Sequence, residues 1–314
     1  MQHIAGRHEL QYVGLRNRTG VPDRTLRRAA ERGELIKVHR GVYVASGVWE
    51  RLSPTDRYRL RVAAAAEVAR EPLVLSHRSA AAIWGMPLVG APPDDVEVLT
   101  SRTNGSRREH GFRRRASPMP TRHLTREAGM VVTSIERTVV DLAASMPFPQ
   151  GVAVVDWALA RGIERRDLGA LAGDLALGRR ETAAQRAIAF GDGRSGSAGE
   201  SLSRVLIHRL GFPAPELQVR FEDRHGLIGV VDFYWADAGL IGEFDGRVKY
   251  EDEAMLAGRR PVDVLMSEKR REDRLRRTGR GVARWVWDDL TPQRLGPILL
   301  DAGLVPLNRF RGVA

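Results

Sequence analysis

The stretch VVDFYWADAGLIGEFDGRVK, residues 230–249, constrains the fold more than any other part of the chain. Two hydrophobic runs of strand length flank the turn-like Ala236-Asp237-Ala238-Gly239, so they are expected to pair as neighbouring strands. Asp232 lies on the first run; Glu243 and Asp245 lie on the second. Residues two apart on a strand share a face, which aims Glu243 and Asp245 the same way. Acids set among Val, Phe, Leu and Ile need a proton or a cation to hold. An all-oxygen set suits a hard divalent ion, so Asp232, Glu243 and Asp245 are the expected ligands of Mg²⁺ or Mn²⁺.

A chain of 314 residues suggests two or three domains, and 43% hydrophobic content supports real cores. Lys and Arg number 50 against 39 acids, a net charge of +11. Such a surplus favours a polyanionic partner, DNA first among them; solubility or an Arg-rich genome would give the same balance. The absence of Cys excludes disulfides and thiolate zinc sites. The opening MQHIAGRHELQ has no apolar signal-peptide core, and no run of about 18 apolar residues exists to span a membrane. A cytoplasmic protein with no membrane partner is expected.

Residues 1–50 read as a winged helix-turn-helix. Leu10 and Val13 have helical spacing within His8 to Arg18, and Gly20-Val21-Pro22 breaks the pattern. Asp23 is the expected N-cap of a second helix closed by Gly33. Leu35 to Val38 and Gly41 to Val44 follow as a small hairpin. The second helix carries Arg24, Arg27, Arg28 and Arg32; the wing carries Lys37, His39 and Arg40. These are the elements that dock on DNA in this fold, so Arg24, Arg27, Arg28, Arg32, Lys37 and Arg40 are the expected DNA contacts. A solvated helix face on a protein-interaction module is the alternative.

The pattern Gly20-Val21, Thr25-Leu26, Gly33, Leu35, Val38 and Arg40-Gly41-Val42-Tyr43 resembles the N-terminal winged helix of AbiEi-type antitoxins of type IV toxin–antitoxin systems. Leu75-Ser76-His77-Arg78-Ser79-Ala80-Ala81 and the run from Val132 to Leu142 are similar to segments that follow that winged helix in many actinobacterial proteins. The C-terminal third resembles the DUF559 group of Vsr-like, restriction-endonuclease-fold proteins. The resemblance implies a DNA-binding chain, a cognate toxin as a possible partner, and a nuclease-type fold at the C-terminus.

Residues 51–190 read as a connecting domain. Helices are expected at Arg57 to Ala69, at Ser76 to Trp84 with Ser76 as cap, and at Arg137 to Met146. Strands are expected at Val96 to Thr100 and Gly129 to Thr133. Residues 101–126 hold eight Arg and one Glu. That tract is suited either to a phosphate backbone or to a solvated hairpin. Arg137 and Asp141 are four apart and fit a helix ion pair; His77 fits a helix-start hydrogen bond. Gly191 to Gly196 matches GxGxxG literally, but the preceding residues read as helix rather than strand, so an interdomain hinge is expected.

Residues 191–314 form the chemical domain. Ser197 to Glu200 is a capping box opening a helix, three strands follow, then a helix from about Val262 to Arg277 and a strand from Val282 to Trp287. This order is the core layout of the restriction-endonuclease fold, a PD-(D/E)xK architecture in the resembled group. Asp245 stands where the broad motif has Lys, and an acid-x-Asp-Gly agrees with that group. The basic role would then fall to Lys249. Glu200, with its capping role, ranks last among the catalytic candidates Asp232, Glu243, Asp245, Lys249 and Glu200.

The expected fold class is therefore α/β (α+β) multidomain: a winged helix-turn-helix at 1–50, a connecting domain at 51–190, and a restriction-endonuclease-like domain at 191–314. The expected function is DNA binding with Mg²⁺-dependent hydrolysis of backbone phosphodiesters. The alternative is a non-catalytic DNA-binding regulator, an antitoxin of a type IV toxin–antitoxin system.

Overall fold

A computed structural model describes residues 4–12, 22–101, 107–175, 177–246, 271 and 273–307. The chain forms two compact units, one of Met1–Val154 with Ile163–Ala189, the other of Val155–Gly162 with Phe190–Ala314.

The first unit opens with a three-residue 3-10 turn, Arg7–Glu9, and a short strand β1, Gln11–Tyr12. The helix expected from His8 is not formed there; the rest of that expected helix lies outside the described residues. β1 pairs antiparallel with β3 (Val42–Ala45), which pairs antiparallel with β2 (Leu35–His39), giving the order β1-β3-β2. Between β1 and β2 lies α1, Asp23–Glu31. Asp23 is the first helical residue, and Pro22 holds the cap position without a side-chain bond, so the cap expected of Asp23 is corrected. Gly33 takes a φ of 76° after α1, the left-handed stop that glycine permits. One helix seated on a three-stranded antiparallel sheet is the winged-helix arrangement.

This sheet does not end its own core at residue 50. Ile4, Leu10, Val42 and Val44 belong to the same buried cluster as Tyr58, Leu60, Leu75, Val98 and Val132. The elements that follow are α2 (Ser46–Arg51), α3 (Pro54–Val68), β4 (Val74–Leu75), α4 (His77–Trp84) and β5 (Val96–Thr100). Then come β6 (Arg107–Glu109), β7 (Phe112–Ala116), β8 (Leu124–Glu127), β9 (Met130–Thr133) and α5 (Ile135–Ser145). The six strands form one mixed sheet in the order β6-β7-β5-β4-β9-β8. Ser53 caps α3 by accepting from the Asp56 N–H, with Pro54 at the first turn; Ser134 caps α5 by accepting from the Arg137 N–H. Ser76 caps α4 through its carbonyl, which accepts from Ser79 and Ala80 N–H, while its hydroxyl meets His77 Nδ1 at 3.1 Å. Arg137 and Asp141 pair at 2.9 Å as their spacing predicts, yet inside the protein, with Arg137 wholly buried. α6 (Phe148–Leu159) runs from the first unit into the second, and α7 (Arg165–Asp174) and α8 (Glu181–Phe190) follow it in the chain.

The second unit contains α9 (Ala198–Arg209), β10 (Glu216–Asp223), β11 (Gly226–Trp235), β12 (Leu240–Phe244), β13 (Gly281–Trp285) and α10 (Pro292–Asp301). The sheet order is β10-β11-β12-β13; the first three strands run antiparallel, and β13 is parallel to β12. Residues 271 and 273–277 are helical and precede β13. One core joins Phe233, Trp235, Phe244 and Trp285 to Leu206, Leu295 and Leu299 of the helices. Trp285 donates its indole N–H to Ser203 Oγ at 2.8 Å, which fits a packing residue.

The glycine-rich 191–196 segment is a packed turn rather than a loose hinge. Asp156 Oδ1 accepts the Asp192 N–H at 2.6 Å, and Arg194 forks onto the Asp192 carboxylate. A Cβ at Gly193 would stand 2.7 Å from the Ala160 nitrogen, so the chain passes too close for any side chain.

Candidate functional site

α1 buries Leu26 and Ala29 and turns Arg24, Arg27 and Arg28 to solvent. Lys37 and Arg40, on β2 and the β2–β3 turn, are also exposed. Arg32 differs from the other expected contacts: its guanidinium forks onto Glu34 at 2.6 and 3.0 Å. That hydrogen bond holds Glu34 below its ordinary carboxylate value. A phosphate would have to compete with Glu34 for Arg32, so Arg32 is the weakest member of the expected set.

The wing is braced by the arginine-rich hairpin. His39 sits edge-on to Phe112 with ring centroids 5.4 Å apart, and burial, then the neighbouring charges of Lys37 and Arg61, lower its pKa. A groove of about 740 Å³ opens beside this contact, lined by His39, Arg40, Arg70, Arg107, Phe112 and Arg114 among others. β6 and β7 carry five arginines. Arg108 pairs with Asp95 at 2.8 Å, Arg107 and Arg114 share Glu109 at 3.1 and 3.5 Å, and Arg113 and Arg115 share Glu97 at 3.9 and 2.6 Å. Five guanidinium groups thus lean on three carboxylates, a structured basic surface rather than a loose tract.

In the second unit the expected acids are placed as follows. Asp232 on β11 accepts the Phe244 N–H at 2.9 Å through Oδ2, and its Oδ1 lies 3.4 Å from Gln218 Nε2. The same Gln218 amide donates to Glu200 Oε2 at 2.8 Å, and that oxygen also accepts the Gly196 N–H at 2.7 Å. The capping box is therefore half formed: Ser197 Oγ accepts the Glu200 N–H, but the Glu200 carboxylate reaches Gly196. Glu243 is 8% exposed. Arg271 Nη2 meets its Oε1 at 2.7 Å and Arg284 Nη2 meets its Oε2 at 2.9 Å. Asp245 follows β12 and ties in through its N–H to the Trp285 carbonyl at 2.9 Å. Lys249 lies outside the described residues.

The structure brings Glu200 and Asp232 onto one amide and sets Glu243 between two arginines. It does not gather Asp232, Glu243 and Asp245 around a common point. Among the described residues no group of three or more His, Asp or Glu side chains is arranged to hold a metal ion. Both Glu243 oxygens face guanidinium groups, which supply the positive charge a divalent ion would bring. As arranged, these residues do not fit the Mg²⁺ or Mn²⁺ centre that the strand pattern leads one to expect.

Gln218 is the residue that sequence reasoning passes over. It takes a φ of 54° inside β10, a left-handed conformation that costs a non-glycine residue on the order of 1 kcal/mol or more. That backbone twist aims the amide at two carboxylates. Its setting in the alternation Leu217, Val219, Phe221 gives no signal of this, and no local pattern marks Arg271 or Arg284 as partners of Glu243.

Residues 9–46, the winged-helix segment, match a family model described as the transcriptional regulator AbiEi antitoxin. Two uncharacterised proteins of Mycobacterium tuberculosis, one from strain CDC 1551 / Oshkosh and one from strain H37Rv, are each 31% identical to the chain over 168 residues. That match covers 53% of this chain and 59% of each relative, so the chain spans about three-fifths of the length of the curated relatives it matches. No solved structure matches. The fold is mixed α/β and multidomain, with an N-terminal winged helix similar to that of antitoxin transcriptional regulators. No helix among the described residues is long and apolar enough to cross a membrane.

Proposed function

We propose that the chain is a DNA-binding transcriptional regulator of the antitoxin type, acting through its winged helix, with a cognate toxin as its protein partner. The observation that carries this is the outward face of α1, Arg24, Arg27 and Arg28, in the segment similar to AbiEi regulators. α1 enters the major groove in this reading, where arginine reads guanine edges or grips phosphates, and Lys37 and Arg40 on the wing reach the flanking backbone. The basic groove beside His39 continues that surface into the arginine-rich hairpin.

The test is binding of the full chain to duplexes from upstream of its own gene. Arg27→Ala with Arg28→Ala should weaken binding by at least ~1 kcal/mol. With about five phosphates neutralised, log K should fall against log salt with a slope near −4 to −5. A flat salt response, or a double variant that binds like wild type, overturns the proposal.

A nuclease is the second reading. It is favoured by the convergence of Glu200, Gln218 and Asp232 beside β12, in a unit ordered as one helix, three strands, the helical residues 271 and 273–277, and a strand parallel to β12. It requires Arg271 and Arg284 to release Glu243. Nicking of supercoiled DNA in Mg²⁺ or Mn²⁺, abolished by Asp232→Asn, would establish it; equal background in both proteins would leave the nuclease-type unit as a scaffold.

A further inference from the structure

The first unit holds a second basic site that neither the winged helix nor the carboxylates use. It is a cleft of about 340 Å³ whose walls include Arg78, Glu97, Arg113, Arg115, Ser145 and Gln150. β7 presents Arg113 and Arg115 on one face, two residues apart, and Glu97 of β5 is registered beside Arg113. Arg78 comes from the first turn of α4. The lining also takes in Met146, Pro147 and Gln150 at the entry of α6, where a helix start adds partial positive charge.

The charges in this cleft do not balance. Arg113 and Arg115 share one carboxylate, and Arg78 adds a third guanidinium, whose Nη1 donates to the Ala91 carbonyl at 3.2 Å. Glu97 is 1% exposed; its Oε1 lies 2.6 Å from Arg115 and 3.9 Å from Arg113, and its Oε2 accepts the Arg78 backbone N–H at 2.9 Å. Its oxygens are committed, and two positive charges remain. Repulsion from Arg115 is the main reason Arg113 sits below the ordinary guanidinium value. Arg115 Nε and Gln150 Oε1 are buried without a hydrogen-bond partner. Polar atoms left in this state ordinarily have a ligand or water to meet them.

We propose that this cleft binds a phosphate-class oxyanion, gripped by Arg78, Arg113 and Arg115 against the start of α6. Guanidinium forks match phosphate oxygens in pairs, and the volume suits a group of nucleotide size or smaller. The phosphoryl group could belong to a small molecule or to a nucleic-acid backbone, and the chemistry of recognition is shared.

The full chain tests this. Calorimetry and thermal melts in inorganic phosphate, against chloride at equal ionic strength, should show binding and a raised Tm. Arg113→Gln should weaken phosphate binding about tenfold, as loss of one charge-assisted grip does. Arg78→Gln provides a second variant should the first fold poorly. Arg220→Gln, in an exposed pair with Glu222 on β10, should keep phosphate binding intact. If Arg113→Gln also weakens duplex binding and phosphate displaces the duplex, the natural source is the backbone; if a nucleoside triphosphate binds and the duplex is indifferent, it is a small molecule. No phosphate effect beyond chloride, or full phosphate affinity in the arginine variants, overturns the proposal.

Discussion

Glu243 shows what a single partner choice does to chemistry. A carboxylate waiting for a metal is destabilised by its acidic neighbours; one held by two guanidinium groups is stabilised by them. The two cases give opposite signs for Glu243→Gln. With Arg271 and Arg284 at hydrogen-bond distance, the substitution should destabilise the protein by about 1–3 kcal/mol in urea or thermal unfolding, and millimolar Mg²⁺ should leave the wild-type Tm unchanged. A more stable variant, or a wild type that gains several degrees with Mg²⁺, would restore the metal centre. His77 offers a second residue-scale test. It is buried, and burial holds its pKa well below 6.5. The folded ring stays neutral where the unfolded ring protonates, so stability is present above about pH 6.5 and is lost as pH falls below it. Unfolding midpoints at pH 7.5 and 5.5 measure the loss, and His77→Asn, which tolerates the left-handed φ of 48°, should shrink it. An undiminished loss in the variant assigns the proton elsewhere. The acids were legible at this scale because Asp232 and Glu243 interrupt apolar runs. Their partners were not, because Arg271 meets Glu243 across 28 residues of sequence and local patterns carry no such information.

At the scale of elements, regular patterns were the readable ones. The helices over α3, α4 and α5, the wing hairpin and the strands from β10 to β13 follow from apolar spacing and Ser or Gly punctuation. The failure at residues 8–12 has a physical cause: Leu10 and Val13 fit a helical stripe, but Gln11 and Tyr12 gain a strand partner in β3, and that tertiary pairing outweighs a weak local preference. The 191–196 turn has no local signature for a related reason, since glycine that permits motion and glycine that permits close approach look alike in sequence. α9 gives the clearest consequence. A Cβ on Gly199 would overlap the ring of Phe244, so the helix lies flush on β12 and carries Ser197 and Glu200 with it. Gly199→Ala should therefore cost about 1–3 kcal/mol although alanine is the better helix former. Unfolding with stability equal to or above wild type would show that Phe244 moves aside at little expense.

For the whole molecule, the compact units follow the chain less simply than a cut at residue 190 implies. Residues 155–162 belong to the second unit although they precede α7 and α8 of the first. Asp156 is 1% exposed and pairs with Arg204 of α9 at 2.8 Å while accepting the Asp192 N–H. Arg204 in turn lies over the Phe190 ring, 4.5 Å from its centroid. A fragment of residues 191–314 would lack Asp156 and leave Arg204 with its charge in a largely buried place. Removing one partner of a buried pair costs about 3–5 kcal/mol, a large share of the roughly 5–15 kcal/mol that holds a domain folded. The fragment 191–314 should therefore be protease-sensitive and melt without cooperativity, whereas in the longer, full chain the same unit should melt in a sharp transition. Arg204→Leu in the short fragment removes the stranded charge and should recover part of the difference. A short fragment that already melts as sharply as the longer one would show that residues 155–162 contribute packing alone, and that the second unit draws its stability from the core around Phe233 and Trp285.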